Sequence, residues 1–184
     1  MLEDLLWLKD IPVKALVKRN VIPDSAEPTD RLANVLAFYG VANVKAWRAL
    51  WEKPAVAARR SACFESLPGP ASAWLRLGEI EAQKIDCNPF SRERLVVALA
   101  ELRRLTTIPD AGQMAAAMRK CCAACGVALA LVPELPKVPW NGATRWLSPD
   151  KVMVLLNLRG KDEDRFWFSF FHELGHVLYD SKKD

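Results

Sequence analysis

Near Gly126 the hydrophobic pattern of this chain changes period, and that change limits the fold more than any other feature. Upstream, apolar residues recur at helical spacing between prolines. Downstream, Val127 to Val132 is a short apolar run, Gly142 to Ser148 alternates around Thr144, Arg145 and Trp146, and Lys151 to Arg159 sets Val152, Val154, Leu156 and Leu158 on one face. These three segments read as strands. Ser148-Pro149-Asp150 fits a type I turn with proline second, which makes the last two a hairpin. The expected class is α+β: a helical N-terminal region, then one helix, a three-stranded antiparallel sheet and a final helix.

The upstream helices are marked by their ends. Leu2 to Leu8 and Pro12 to Arg19 read as short helices, the second with Pro12 at the favoured first position. Thr29 or Asp30 caps a helix through Phe38 that Gly40 ends, Asn43 caps one carrying Trp47, Leu50 and Trp51, and Pro54 to Phe64 follows. Ser66-Leu67-Pro68-Gly69-Pro70 is a break, after which Ala71 to Ile85 carries Trp74, Leu75, Leu77 and Ile80 at helical spacing. Ser91 caps a helix striped by Leu95, Leu99, Leu102 and Leu105, with Arg92, Arg94, Arg103 and Arg104 as a solvated face. Asp110, with Gln113 three residues on, forms a capping box for a helix ending at Cys125 and Gly126. The division expected is a helical connector over 1–106 and a second unit over 107–184.

The chain has 184 residues, 51% of them hydrophobic and 26% charged, which suits one globular domain or two small ones. Its net charge of +4 is mild: it permits a nucleic-acid or acidic-protein partner but, without a dense Lys/Arg block, does not argue for one. No apolar run reaches membrane-spanning length and Met1-Leu2-Glu3-Asp4 lacks a secretory leader, so the expected compartment is the cytoplasm. There Cys63, Cys87, Cys121, Cys122 and Cys125 are expected as thiols, with Cys122-Ala-Ala-Cys125 as small buried hydrophobes on an alanine-rich helix.

The chemistry is concentrated near the C-terminal end. Phe166 to Tyr179 holds both of the chain's histidines, His172 and His176, with Glu173 directly after the first. On a helix, four residues place the two imidazoles on one face about 6 Å apart along the axis, where they can share one zinc ion. Glu173 lies roughly 60° around from His176 and can stand beside the metal without binding it. There it would take a proton from an activated water and pass it to the leaving amine, as a general base and acid. This is the H-E-x-x-H zinc-peptidase pattern. Phe166, Trp167, Phe168, Phe170, Phe171, Leu174, Val177 and Leu178 are expected to bury the helix almost all round. The bland alternative is an incidental motif on a helical interaction module.

Two stretches together, Asn141-Gly142-Ala143-Thr144-Arg145-Trp146 and Phe166 to His176, resemble the ImmA/IrrE-type metallopeptidase domain. More closely, the chain is similar to long HigA-like antitoxin regulators that carry this domain behind an Xre-type helix-turn-helix. Leu16-Val17-Lys18-Arg19-Asn20, Phe38-Tyr39-Gly40-Val41 and Ala73-Trp74-Leu75-Arg76 look like their helical connector. The resemblance implies a zincin-like unit over 107–184, zinc at His172 and His176, and Glu173 as the acid/base residue. It implies a protein substrate, or a toxin or repressor partner, in place of general digestion. Asn141, Arg145 and Trp146 would line the substrate side, or else serve the sheet as core and as a cross-strand ion pair. The alternative reading is a transcriptional regulator of a toxin-antitoxin system, in which the peptidase-like unit is a non-catalytic sensor or scaffold. A homodimer would suit such a regulator, and no membrane partner is expected.

Two departures from the family pattern stand out. The DNA-binding helix-turn-helix would precede Met1, so DNA contact is expected only through a segment this sequence lacks. The family's third zinc ligand, an acidic residue, comes from a helix further downstream, and the chain ends at Asp184. Asp180 shares the His176 face, but its Cα lies about 9 Å axially beyond the midpoint of the pair. Asp184 reaches the site only if the tail turns back. The chain therefore reads as truncated at both ends.

Overall fold

The computed structural model describes residues 2–52, 67–158 and 163–180. The fold is α+β, and the chain divides into two units, one of Met1–Leu77 with Glu134–Trp140 and one of Gly78–Pro133 with Asn141–Asp184. The helix over Pro54 to Phe64, Cys63 and the Gly160-Lys161-Asp162 link expected from the sequence lie outside the described residues.

The first unit is built from short helices around aromatic rings. Its helices are α1 (Leu2–Trp7), α2 (Val13–Lys18), α3 (Pro28–Tyr39), α4 (Val44–Trp47) and most of α5 (Pro68–Gln83). Asn43 caps α4 as expected, its side chain accepting the Ala46 N–H at 2.9 Å, and Gly40 ends α3 at φ 68°. Three starts differ from expectation. Pro28 opens α3, so Thr29 and Asp30 lie in its first turn; Pro68 opens α5, ahead of Ala71. A first turn has no use for the N–H that proline lacks, so a proline there begins a helix as readily as it breaks one. Pro12 sits just before α2 in place of its first position. Trp7 packs edge-on against Trp47 at 5.1 Å, Tyr39 meets Trp51 at 5.5 Å, and Trp74 meets Trp140 at 6.5 Å. The Tyr39 hydroxyl lies 2.9 Å from Ser72 Oγ, which satisfies the polar end of a buried ring.

The second unit holds α6 (Arg92–Arg104), α7 (Ala111–Ala124), strands β1 (Val127–Leu131), β2 (Gly142–Ser148) and β3 (Lys151–Leu156), and α8 (Glu163–Tyr179). Ser91 Oγ caps α6 through the Arg94 N–H at 3.1 Å, and Asp110 caps α7 through the Gln113 N–H at 2.7 Å. Gly126 follows α7 at φ 87°, where a side chain would drive into the Phe90 backbone.

The sheet corrects the expected antiparallel arrangement: it is mixed, in the order β1-β3-β2. The β2/β3 hairpin forms as read, whereas β1 pairs with β3 in parallel. The cause is topological. Residues 132–150 include β2 itself, so the chain returns to β3 running the same way as β1, as a parallel pair requires. Being central, β3 is buried on both faces from Val152 to Leu156, with no alternation, and it stops before Leu158, which is exposed.

One face of the sheet carries the main core. Leu95, Leu102 and Leu105 join Met118, Cys122, Val127, Leu129, Val152, Val154, Leu156, Phe170, Leu174 and Val177. The α6 helix, grouped with the connector by a boundary at 106, thus belongs to this second unit. Its arginines Arg92, Arg94, Arg103 and Arg104 are all exposed, as expected of a solvated face. Arg92 Nε donates to the Leu178 carbonyl at 3.3 Å, near the end of α8, and Arg104 pairs with Glu101. Cys122 and Cys125 are buried thiols, and Cys87 and Cys121 are half-buried thiols. Burial pushes all four up in pKa, which keeps them protonated. Among the described residues, no helix is long and apolar enough to cross a membrane.

Candidate metal centre

Helix α8 is organised by its two faces. Ser169, Phe170, Glu173, Leu174 and Val177 are buried, a three- and four-residue spacing that turns one stripe toward the sheet. The expected burial all round does not hold, because the sheet covers only that stripe. Phe168 is 72% and Tyr179 80% exposed, and His172 between them is exposed too. Glu163 and Asp164 open the helix with the sign its positive end favours.

The two imidazoles converge. Nε2 of His172 and Nε2 of His176 stand 3.1 Å apart, with the rings perpendicular and their centroids 4.7 Å apart. Two nitrogens on one tetrahedral zinc at 2.0–2.1 Å would be about 3.3 Å apart, so the pair is spaced to chelate with hardly any movement. A single proton shared between the rings suits the same spacing. Phe168 stacks on His172 at 5.9 Å and 18°, which limits that ring's rotation from the solvent side.

Glu173 is buried against β2, close enough to both histidines for their charges to act on it. Thr144 Oγ1 lies 2.8 Å from its Oε2 and 3.2 Å from its main-chain carbonyl, so the one hydroxyl proton has two acceptors on the same residue, the carboxylate oxygen being the nearer. Beside it, a Cβ on Gly142 would fall 2.7 Å from both Cγ and Oε1 of Glu173. The Glu173 side chain thus occupies the space a side chain at 142 would take, and any larger residue there must displace it. Burial raises the Glu173 pKa above the usual carboxylate range; the Thr144 hydrogen bond and the neighbouring histidines work against that shift, and Asp180 adds to it.

Asp180 takes a place other than the one weighed for it. Its Oδ2 lies 2.7 Å from Nδ1 of His176, the nitrogen on the far side of the ring from His172. It bonds to His176 alone and, as its axial offset implied, does not stand between the two imidazoles. Asp184 lies outside the described residues. Among the described residues, no group of three or more His, Cys, Asp and Glu side chains is placed to hold a metal ion; the donor set is the two imidazoles.

The three residues expected on the substrate side are dispersed. Asn141 is exposed, and its carbonyl accepts the Asn157 N–H at 3.0 Å. Arg145 pairs in register with Met153 and, by strand alternation, faces away from Thr144 and Glu173. Trp146 is half-buried and packs edge-on against Phe90 at 4.9 Å. Gly142 and Thr144 meet Glu173 from β2, and the sequence did not single them out as site residues. The available signal was the period of two: Gly142, Thr144 and Trp146 share one face of β2.

Compared with known protein families, curated proteins and solved structures, the chain matches none.

Proposed function

We propose that the second unit is a zincin-like metallo-endopeptidase unit that acts on a regulatory protein. The observation that supports this most is the convergence of His172 and His176 at 3.1 Å beside a buried Glu173 anchored to β2. Zinc, when bound by the two imidazoles and a third donor, would supply the Lewis acidity that polarises a peptide carbonyl and makes water a nucleophile at neutral pH.

The chain's own residues would do the rest. Glu173 is held by Thr144 at Oε2, so its carboxylate keeps one orientation on β2, within electrostatic reach of the ligand pair. A raised pKa suits a group that accepts a proton from the attacking water and returns it to the leaving amine. Among the described residues, strand β2, which carries Gly142 and Thr144, pairs with β3 alone and forms one edge of the sheet. An extended peptide can add to such an edge and pass the ligand pair with its backbone held by main-chain hydrogen bonds.

Hydrolysis of a fluorogenic peptide library by the zinc-loaded chain, beside Glu173→Gln, tests the reading. Loss of a general base is expected to slow turnover about 10²- to 10⁴-fold while zinc binding persists. Zinc binding with no hydrolysis that depends on Glu173 would instead favour the non-catalytic sensor or scaffold of a toxin-antitoxin regulator.

A further inference from the structure

We infer that Asp180 is a positioning residue for the metal pair, fixing His176 in the tautomer whose bare Nε2 faces His172. The inference rests on the metal-binding reading of the two histidines, and it concerns a residue outside the H-E-x-x-H pattern.

The geometry is local and closed. The Asp180 N–H bonds to the His176 carbonyl at 3.0 Å, which keeps the last helical turn intact and returns the Asp180 side chain over His176. Its Oδ2 then meets Nδ1 at 2.7 Å, within the range of charge-assisted hydrogen bonds. A neutral imidazole carries one proton. A carboxylate can only accept, so that proton sits on Nδ1, and Nε2 is left as a lone pair. That lone pair is the one 3.1 Å from His172 Nε2. Ring orientation and tautomer are thereby set before any metal arrives, as outer carboxylates do for metal-bound histidines.

Helix stability does not account for the residue. An aspartate in the last turn faces the negative end of the helix dipole and is disfavoured there. A purely structural role therefore gives removal of the carboxylate a neutral or mildly favourable effect on folding. A positioning role gives it a cost in metal affinity alone.

Two readouts on the full chain test this. In cobalt(II) titrations followed by visible absorption, Asp180→Ala is expected to bind about 10- to 100-fold more weakly than the parent, and Asp180→Asn, which keeps an acceptor oxygen, to recover most of the loss. Equal affinity in Asp180→Ala and the parent would overturn the inference. The second readout needs no metal: ¹⁵N NMR of the His176 ring at mildly alkaline pH. Nδ1–H in the parent and a shift toward Nε2–H in Asp180→Ala are expected; Nε2–H in the parent would overturn the role of Asp180. Failure of the parent to bind cobalt would sink the metal reading, while the tautomer still decides what Asp180 does.

Discussion

The two faces of α8 differ in how firmly the fold holds them. The inner face sets Phe170, Leu174 and Val177 into the core and Glu173 onto Thr144. The outer face leaves His172, Phe168 and Tyr179 open to solvent and depends on one ring stack. The acid/base candidate is thus fixed by tertiary packing. The ligand candidates are fixed by helix spacing and by Asp180. Under the proposed function, this arrangement separates the demand for a rigid base from the demand for an accessible metal.

The largest expected difference between the faces is in stability. Phe170→Ala, at a fully buried position, should lower unfolding free energy by about 3–5 kcal/mol, while Phe168→Ala should stay within about 0.5 kcal/mol. Urea denaturation of both variants checks this. Similar losses at the two positions would mean that the outer face is covered.

Smaller effects belong to the contact with β2. Gly142→Ala must push the Glu173 side chain aside and is expected to cost about 1–3 kcal/mol. Thr144→Val, which leaves the carboxylate short of a donor, should cost about 1 kcal/mol, with Thr144→Ser recovering much of it. Unchanged denaturation midpoints in all three would break the claim that β2 fixes Glu173.

On the same helix, a Cβ at Gly175 would meet nothing within 4 Å. Gly175→Ala should therefore stabilise the chain by about 0.5–1 kcal/mol through helix propensity. A loss of thermal stability there would reveal a neighbour at that face.

The subtlest expectation concerns pH. A carboxyl whose folded pKa is raised keeps its proton longer in the fold than in the unfolded chain, so folding loses stability as pH rises through the raised value. Glu173→Gln removes that loss. Without metal, its melting temperature should exceed the parent's at neutral pH, and the gap should close below the ordinary glutamate pKa of about 4.3. A gap independent of pH would mean that Glu173 is not buried as an acid.

Local chemistry made much of this legible in the sequence. Asn43, Ser91 and Asp110 announced their helices, Gly40 and Gly126 their ends, and Ser148-Pro149-Asp150 its hairpin, because caps and turns act over three or four residues. The direction of β1 was not legible, since nothing within Val127–Leu131 encodes which way a neighbour runs. The exposed face of α8 was hidden for a related reason. An aromatic-rich helix looks buried on every side until the extent of the covering sheet is known. The positions of His172, Glu173 and His176 followed from spacing along one helix, whereas Thr144 and Gly142 come from a different strand and needed the register.

Equilibrium zinc binding to the purified chain, beside His176→Ala, tests the central claim most directly. One zinc per chain, lost or strongly weakened in the variant, is the expected result. No zinc in the parent, or undiminished zinc in His176→Ala, would contradict the assignment of the pair as a metal centre.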